Sequence, residues 1–388
     1  MQDSLPEGSR VHICIVYDCL YPWTIGGAER VYRQLAEAHA ARGLRVTYLT
    51  LRQWDEDDRP DLPGVEVVAV GPRMALYAEG KRRILPPLVF GLGVFWHLLR
   101  HGRRYDVVHG CSFPFFSLLA AGLLRPLGGY RIAVDWIEVW TRDYWREYLG
   151  PLGGAVGWAV QRLCARVPQV PFAFSQLHAA RAEALGTGPV TVLDGQYAGA
   201  THHPVPAAQP PLVLYAGRMI PEKRVSLLVD ALAVLMQRDT AVRAVLVGRG
   251  PDHAAVQAQV AGLGLSDRIA LPGFVPDAEL ERLQGEAAVM VQPSEREGYG
   301  MVVVEASARG VPVVLVAGAN NSAVELVEEG ANGFVAAEPS AAALAAAIVA
   351  AVAGGDELRA RVRRWYAANA ARLSFAASYE RIGLRLAE

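Results

Sequence analysis

The chain has 388 residues, enough for two domains of ordinary size, and 52% of them are hydrophobic, so a large core is expected and disorder is not. The formal net charge of −1 gives no electrostatic reason to expect a nucleic acid as partner. The four cysteines lack metal-ligand spacing, the polar first ten residues lack the apolar core of a signal peptide, and no apolar run reaches the roughly 18 residues of a spanning helix. These features favour a cytoplasmic globular protein.

The first half of the chain alternates predicted strands and helices. Residues 11–17 form an almost continuous apolar run, which is typical of a parallel strand covered on both faces. Gly26 and Gly27 then precede a helix, and residues 45–51 form the next strand. A glycine pair at this first crossover suits a loop that approaches phosphate or a sugar, but it also suits a plain helix start, and both interpretations stay open.

An apolar stretch flanked by basic clusters, KRRILPPLVFGLGVFWHLLRHGRR, occupies residues 81–104. We interpret it as a crossover helix buried against the sheet, because helices of such folds are often this apolar. The alternative is a surface that approaches an apolar acceptor or makes peripheral contact with anionic lipid at the inner face of a membrane. The strand YDVVHG follows and carries His109 near its end.

A further predicted strand opens into a loop, DWIEVWTRDYWREYLG, in which acids and aromatics are dense. Ligands of α/β sheets bind at the carboxyl ends of strands, and aromatics interleaved with acids suit a sugar or another polyol. A tryptophan-rich packing loop is the alternative. The candidates for binding such a ligand are Asp135, Trp136 and Glu138, together with His109.

The second half of the chain repeats the alternation of strand and helix. Proline-rich, unpatterned residues 201–211 predict a linker between an N-terminal domain, 1–200, and a C-terminal domain, 212–369. Both halves are therefore predicted to be α/β, each with a Rossmann-like parallel sheet and right-handed crossovers.

Residues 294–312, SEREGYGMVVVEASARGVP, predict the end of a strand, a glycine turn and a helix N-terminus. Glu297 and Glu305 bracket seven residues there, and a helix N-terminus is a ready site for phosphate. A span of roughly 12 Å along a helix is too long for a retaining glycosidase pair, which needs about 5–5.5 Å. It suits two groups that hold opposite ends of a ligand with a diphosphate between them; a solvated surface pair is the alternative.

Two cations, Arg218 and Lys223, follow the first strand of the second half. Strand ends on one edge of a parallel sheet converge on a common crevice, so these cations are expected beside the two acids. Cations beside a diphosphate neutralise the negative charge on a departing phosphate, as a bound Mg²⁺ ion does in many other enzymes.

The motifs GRMIPEK at 217–223 and EREGYGMVVVEASARGVPVV at 295–314 resemble the retaining glycosyltransferases of family 4. IGGAE, YDVVH, VGRGP and LPGFV also occur in that family's order, and the resemblance covers nearly the whole chain. It implies the GT-B fold, with two Rossmann-like parallel-sheet domains, an active site in the cleft between them, and a C-terminal helix, 370–388, that packs on the N-terminal domain.

The resemblance also implies the chemistry. A hexosyl unit would pass from a nucleotide diphosphate sugar, UDP more readily than GDP, to a hydroxyl of a sugar, a lipid-linked sugar or a small natural product. The displacement would be front-side and retaining, with no metal and no cofactor. The implied residues are Arg218 and Lys223 at the diphosphate, Glu297 with the backbone of Gly298, Tyr299, Gly300 and Met301 at the sugar, Glu305 at the ribose, Phe274 and Val275 at the base, and Gly26 and Gly27 facing the phosphate and acceptor.

The chain departs from the family at two positions. Ile137 stands where many members have a histidine. Two alternatives stay open: Asp135 or Glu138 takes the place of that histidine, or the donor sugar does not need the contact, which suggests a donor altered at its 6-position, such as a deoxy sugar. Arg224 stands where many members have glycine. The alternatives kept open are a GT-B nucleotide-sugar epimerase or hydrolase and a non-catalytic sugar-nucleotide-binding protein. A nicotinamide dehydrogenase is disfavoured because Gly26 and Gly27 do not form G-x-G-x-x-G.

Overall fold

The computed structural model describes residues 11–55, 57–78, 81–199, 202–237 and 241–387, which form two compact α/β units. The first unit runs to Leu193 and resumes at Ser378, and the second contains Asp194–Ala377. The sequence places the corresponding domain boundaries at 200 and 370. The described part of the predicted linker, 202–211, has no regular secondary structure and belongs to the second unit, while Thr201 lies outside the described residues.

The first unit is built on a seven-stranded parallel sheet with the strand order β3-β2-β1-β6-β7-β8-β9. Its strands are β1 (His12–Val16), β2 (Arg45–Leu51), β3 (Val65–Gly71), β6 (Val107–Cys111), β7 (Arg131–Asp135), β8 (Val170–Ala173) and β9 (Thr191–Val192), with a small antiparallel hairpin of β4 (Tyr77–Ala78) and β5 (Lys81–Arg82). Its helices are α1 (Gly27–Ala41), α2 (Leu85–His101), α3 (Phe115–Gly128), α4 (Arg142–Ala165) and α5 (Gln176–Leu185). All of β1 is buried, as its apolar run predicts.

Helix α4 corrects the interpretation of DWIEVWTRDYWREYLG as a single loop. The loop ends at Thr141, whose side chain accepts a hydrogen bond from the backbone N–H of Tyr144 and so caps the helix. Gly150, with φ of 76°, breaks α4 just before Pro151. The many aromatic residues and the Gly150–Pro151 pair make the sequence look like a loop, although residues on both sides of Gly150 are helical in the folded protein.

The second unit is built on a six-stranded parallel sheet with the order β12-β11-β10-β13-β15-β17. Its strands are β10 (Leu212–Ala216), β11 (Arg243–Val247), β12 (Ile269–Gly273), β13 (Val289–Gln292), β15 (Val313–Val316) and β17 (Gly333–Ala336), and the short β14 (Arg296–Glu297) pairs with β16 (Asn320–Asn321). Its helices are α6 (Val225–Gln237), α7 (His253–Gly262), α8 (Asp277–Glu286), α9 (Met301–Ala308), α10 (Ala341–Ala353) and α11 (Gly355–Leu373).

The strand order of the second sheet fixes where a ligand can bind. The chain runs outward from β10 through β11 to β12, then returns to place β13 on the other side of β10. The carboxyl ends of β10 and β13 are therefore neighbours at the point where the order reverses, and ligands of open α/β sheets bind in the crevice at such a switch point.

The C-terminal segment, predicted as one helical stretch from 357 to 388, is divided at Ser374. Helix α11 ends at Leu373, and α12 (Phe375–Ala387) carries the chain back to the first unit, as the family resemblance implies. There Tyr379 Oη lies 2.7 Å from His39 Nδ1, and Arg381 donates to the backbone oxygen of Val192 at 2.8 Å. Across the described ranges no single helix is long and apolar enough to span a bilayer, although α10 and α11, bent by 90°, pass that test as a pair.

Candidate functional site

Two loops define the candidate site in the second unit. The first loop, residues 217–224, follows β10, and the second loop, residues 293–300, follows β13. In the first loop Pro221–Lys223 form a turn of 3₁₀ helix. Arg224 ends that turn with φ of 48°, a left-handed conformation that is uncommon for a residue other than glycine. Where the family resemblance implies a glycine in many members, this chain has an arginine, and the arginine adopts the left-handed conformation that glycine favours.

Lys223 and Glu297 meet across the two loops. Lys223 Nζ donates to Glu297 Oε1 at 2.6 Å, and the two side chains are only 17% and 16% exposed. Charge-assisted bonds of this length are the strong ones among protein hydrogen bonds. The structure therefore brings together a cation and an acid that the sequence predicts for one site.

Two ion pairs and a backbone hydrogen bond also join the first loop to the second. Arg224 pairs with Glu295 at 2.9 Å, and Arg296 pairs with Glu222 at 3.2 Å. The backbone N–H of Glu295 also donates to the carbonyl of Glu222 at 2.9 Å. Acidic and basic residues thus alternate across the contact, which positions Lys223 opposite Glu297.

The backbone around Glu297 is fixed from a third segment. Ser322 Oγ donates to the carbonyl of Glu297 at 2.7 Å, and the buried Asn321 side chain donates to the carbonyls of Ser294 and Val316. Because these bonds satisfy buried backbone acceptors, they hold the second loop rigid.

Helix α9 starts directly after the second loop. Gly300 precedes it with φ of 98°, and a Cβ there would lie 2.4 Å from the Cβ of Ala323, so only glycine fits without a shift. No side chain caps α9 among the described residues, so the first N–H groups of the helix, starting at Met301, remain suited to an anion.

Glu305 and Tyr299 differ in their exposure and in their partners. Glu305 is half-buried on α9, and Arg309 donates to its backbone carbonyl at 3.0 Å. Tyr299 is buried, and its hydroxyl donates to the carbonyl of Asp194 at 2.5 Å. Burial raises the pKa of the Tyr299 hydroxyl. The ring of Tyr299 is therefore buried and is not available to a ligand.

The neighbouring strand ends complete the edge of this sheet. A Cβ on Gly248 would lie 1.9 Å from the carbonyl oxygen of Gly217, so the turn after β11 packs backbone to backbone on the first loop. Phe274, directly after β12, has a side chain that is 66% exposed, and Val275 is half-buried. An exposed phenylalanine at a strand end offers a ring face to a planar group.

Arg218 and the buried Tyr215 belong to the same edge. Arg218 is exposed, and its backbone carbonyl accepts from Tyr215 Oη at 2.7 Å. Burial raises the pKa of the Tyr215 hydroxyl, and the charge of Glu297 raises it further while that of Arg218 opposes this. The charges of Glu297 and Arg218 are thus both felt at one buried hydroxyl.

The glycine pair of the first unit lies at the start of α1. Gly26 is the N-cap, and a Cβ on it would lie 2.2 Å from Glu29 Oε2. The carboxylate of Glu29 therefore folds back over the glycine, in the first turn where a negative charge is favourable.

The four acceptor-side candidates do not form one surface. His109 and Asp135 are fully buried, with His109 Nε2 3.2 Å from the Asp135 carboxylate, which also accepts from Tyr32 Oη at 2.6 Å. Trp136 is fully buried and donates to Gln169. Burial, followed by the Asp135 charge, raises the pKa of Tyr32. The side chains of these three candidates are buried at the edge of the first sheet. They could therefore influence a ligand only through other residues.

Glu138 is the candidate that reaches the surface. It is half-buried, and its carboxylate accepts from Trp140 Nε1 at 3.1 Å. Trp140 in turn packs on Tyr144, Trp145 and Tyr148, so the aromatic cluster is largely a packing cluster at the start of α4. No group of three or more potential metal-binding side chains occurs within the described ranges.

Two family models match the chain. The glycosyl transferase 4-like domain matches residues 26–193, and glycosyl transferases group 1 matches residues 202–367. The chain belongs to glycosyltransferase family 4. The family's second model contains both loops, α9 and the Lys223–Glu297 pair.

Curated relatives of this family 4 chain match it over part of their length. The alpha-D-kanosaminyltransferase of Streptomyces kanamyceticus is 32% identical over 125 residues, 32% of either chain. The GDP-mannose-dependent alpha-(1-6)-phosphatidylinositol monomannoside mannosyltransferase of Mycolicibacterium smegmatis is 33% identical over 132 residues, 32% of this chain and 34% of the relative. The matched part thus spans about a third of these relatives.

Solved structures establish the fold of this family 4 member as GT-B. Sucrose-phosphate synthase from Thermosynechococcus elongatus has a TM-score of 0.78 at 20% identity, covering 97% of this chain and 98% of that one. HepE of Anabaena, in complex with UDP and glucose, has a TM-score of 0.70 at 20% identity, covering 97% and 99%. The predicted fold class is confirmed.

Sequence reasoning missed the residues that hold the family 4 loops in place. Asn321 and Ser322 follow β15 in the run GANNS, where polar residues at a strand end are a usable signal but also make ordinary turns. Glu222 and Glu295 flank the predicted motif residues, and nothing in their spacing shows that they meet arginines across the two loops.

Proposed function

We propose that the protein transfers a hexosyl unit from a nucleotide diphosphate sugar to an acceptor hydroxyl. The observation that carries this is the Lys223–Glu297 pair at the switch point of the second sheet, beside the uncapped start of α9. A cation, an acid and helix N–H groups in one crevice match a ligand with a diphosphate at one end and a sugar at the other.

Each residue of the edge has a proposed part. Lys223 and Arg218 hold the diphosphate as point charge and fork respectively. Glu297 and the backbone N–H groups of Gly298 to Met301 hold the sugar, and Glu305, further along α9, holds the ribose hydroxyls. Phe274 and Val275 lie against the base. Gly26 and Gly27 belong to the other unit and serve the phosphate and acceptor side.

The proposed displacement is front-side and retains the anomeric configuration. The bond from the acceptor oxygen to the anomeric carbon forms as the bond from that carbon to the diphosphate oxygen breaks, and a phosphate oxygen of the leaving group takes the acceptor's proton. Lys223 and Arg218 stabilise the departing charge, so the step needs no metal ion and no cofactor. No protein nucleophile takes part.

UDP is the proposed nucleotide, with GDP as the competitor. HepE, which shares the fold, is described in complex with UDP-glucose, whereas the mycobacterial relative is named GDP-mannose-dependent. Ile137, half-buried after β7, favours a donor altered at its 6-position, such as a deoxy sugar. A donor panel in which unmodified hexoses are clearly preferred would refute that refinement.

The acceptor is proposed to be a sugar, a lipid-linked sugar or a small natural product that Glu138 contacts. A reducing, cytoplasmic compartment is proposed because Cys14, Cys19, Cys111 and Cys164 are all buried and unbridged.

A nucleotide-sugar panel read by thermal shift, followed by acceptor mixtures read by mass spectrometry, tests the proposal. We expect one donor class to stabilise the wild type, and a glycosylated product to appear only with both substrates present. Glu297→Ala should lower transfer by roughly 10²–10³-fold while the protein stays folded. Donor turnover without an acceptor would indicate an epimerase or hydrolase instead, and binding without turnover a non-catalytic protein.

A further inference from the structure

Helix α2 presents a second apolar face that the sheet does not cover. Its inner face, with Phe90, Val94 and Leu98, is buried. Its outer face carries large apolar residues three and four positions apart, and they are exposed: Leu85, Leu88, Leu92, Trp96 and Leu99. A surface helix of a globular protein normally turns polar residues outward, so a helix that is apolar on both faces needs a second apolar partner.

The face continues onto α3. The backbones of α2 and α3 approach closely at Gly91, where a Cβ would lie 2.5 Å from the Cβ of Phe116. Arg103, just beyond α2, donates to the carbonyl of Leu127 at 3.3 Å, so the ends of the two helices are adjacent. Leu123 and Leu127 of α3 are 69% and 59% exposed. We call this surface the α2–α3 face: Leu85, Leu88, Leu92, Trp96, Leu99, Leu123 and Leu127.

The charged residues carried by α2, by the turn after it and by α3 are of one sign. Neither residues 81–105 nor α3 contains an aspartate or glutamate, whereas the chain as a whole has a net charge of −1. The exposed basic side chains on and beside the face are Arg83, Arg100, Arg103, Arg104 and Arg125. Arg100 lies over the Trp96 ring, 5.2 Å from its centroid, so the positive charge sits directly beside an exposed aromatic.

We propose that the α2–α3 face docks on the surface of an anionic bilayer. Leucines and a tryptophan would enter the boundary between headgroups and acyl chains, while arginines at the rim stay with the lipid phosphates. A second copy of the chain fits less well, because a two-fold contact would set these arginines against their own copies with no acid on the face to pair them. The proposal is independent of the function of the second unit.

Vesicle co-sedimentation of the full chain tests this. Vesicles of equal parts phosphatidylglycerol and phosphatidylcholine should pellet the wild type, phosphatidylcholine alone should pellet much less, and added salt should release the protein. Leu99→Glu should weaken binding roughly tenfold or more. Arg103→Gln should weaken it roughly fivefold, the contribution expected of one arginine near an anionic surface.

The matched control is Leu263→Glu, since Leu263 lies just after α7 in the second unit and has the same 45% exposure as Leu99. It should bind vesicles like the wild type, and circular dichroism melts should show both variants folded. Equal binding of the two variants, or no binding of the wild type, would overturn the proposal. So would sedimentation velocity showing that Leu99→Glu turns a dimer into a monomer, because a second copy would then cover the face.

Discussion

Changing Glu297 to glutamine and changing Lys223 to alanine should move the affinity for free UDP in opposite directions. Without a ligand, Lys223 Nζ is held by Glu297 Oε1 at 2.6 Å, and both groups are largely buried. A diphosphate that recruits Lys223 must compete with that carboxylate. UDP lacks the sugar that Glu297 is proposed to hold, so for UDP alone Glu297 is only a competitor.

The magnitudes follow from the kind of bond. A charge-assisted hydrogen bond contributes about 1.5–3 kcal/mol and a neutral one about 0.5–1.5 kcal/mol. Glu297→Gln keeps the shape of the side chain and replaces the first by the second, so UDP should bind tighter by about 1 kcal/mol, or roughly fivefold. Lys223→Ala removes the bond to the phosphate and should weaken UDP binding by roughly 10–100-fold.

Isothermal titration with UDP measures both values, and transfer assays on the same samples should show a loss of roughly 10²–10³-fold in each variant. Glu357→Gln is the control, because Glu357 is an exposed carboxylate whose ion pair with Arg361 lies on the surface of α11, and it should match the wild type. If Glu297→Gln weakened UDP binding together with Lys223→Ala, the competition between carboxylate and diphosphate would be refuted.

Three further predictions concern the supports of the site and of the first unit. Gly300→Ala should lower the free energy of unfolding by about 1–3 kcal/mol, because φ is 98° and the added Cβ has no room; thermal melts measure this. Ser322→Ala should raise the donor KM and cost about 1 kcal/mol of stability, since it frees the carbonyl of Glu297; kinetics and melts report both. Burial lowers the pKa of His39 in the folded protein to about 3. Because an unfolded chain has an ordinary histidine pKa of about 6.5, the unfolded state takes up a proton as the pH falls below that value, and the folded state becomes less stable. Between about pH 7 and 5 the free energy of unfolding, measured by urea titration, should therefore fall by about 2 kcal/mol more in the wild type than in His39→Gln.

Each of these has its own control. Gly264→Ala also adds a Cβ at a left-handed φ, 68°, but with no described neighbour within 4 Å, so it should cost less than Gly300→Ala. Ser226→Ala removes an exposed hydroxyl bond to Gln259 and should leave KM unchanged. An equal loss of stability with pH in wild type and His39→Gln would place the titrating group elsewhere.

The sequence predicts the site best where a charged residue or a glycine follows the end of a predicted strand. Lys223, Glu297 and Gly300 follow apolar runs that predict buried strands, and parallel strands bring such ends to one edge. That Lys223 bonds directly to Glu297 is not encoded in their spacing, because it depends on the register of β10 against β13.

The first unit shows where sequence reasoning fails. Asp135 is the last residue of β7, and Trp136 and Glu138 follow it, yet the first two are buried and Glu138 is half-buried. The direction of a side chain after a strand end is decided by packing, here by Tyr32 and Gln169 from distant parts of the chain. The unit boundary at Leu193, before the proline-rich stretch, likewise follows tertiary contacts and not composition.

The exposed outer face of α2 is another feature that the sequence alone does not predict. The apolar run of residues 81–104 correctly predicts a crossover helix, but hydropathy alone does not show that one apolar face stays uncovered. Leu92 and Phe90 are equally apolar in sequence, and only the packing of the helix separates the exposed one from the buried one.

The most direct test of the account is the anomeric outcome of a single transfer. Wild-type protein, an α-linked UDP-sugar and an acceptor identified by mass spectrometry should yield an α-linked product and UDP in equal amounts, without added metal and in the presence of a chelator. Lys223→Ala and Glu297→Ala should give almost none. A β-linked product, a requirement for metal, or release of UDP that does not depend on the acceptor would contradict it.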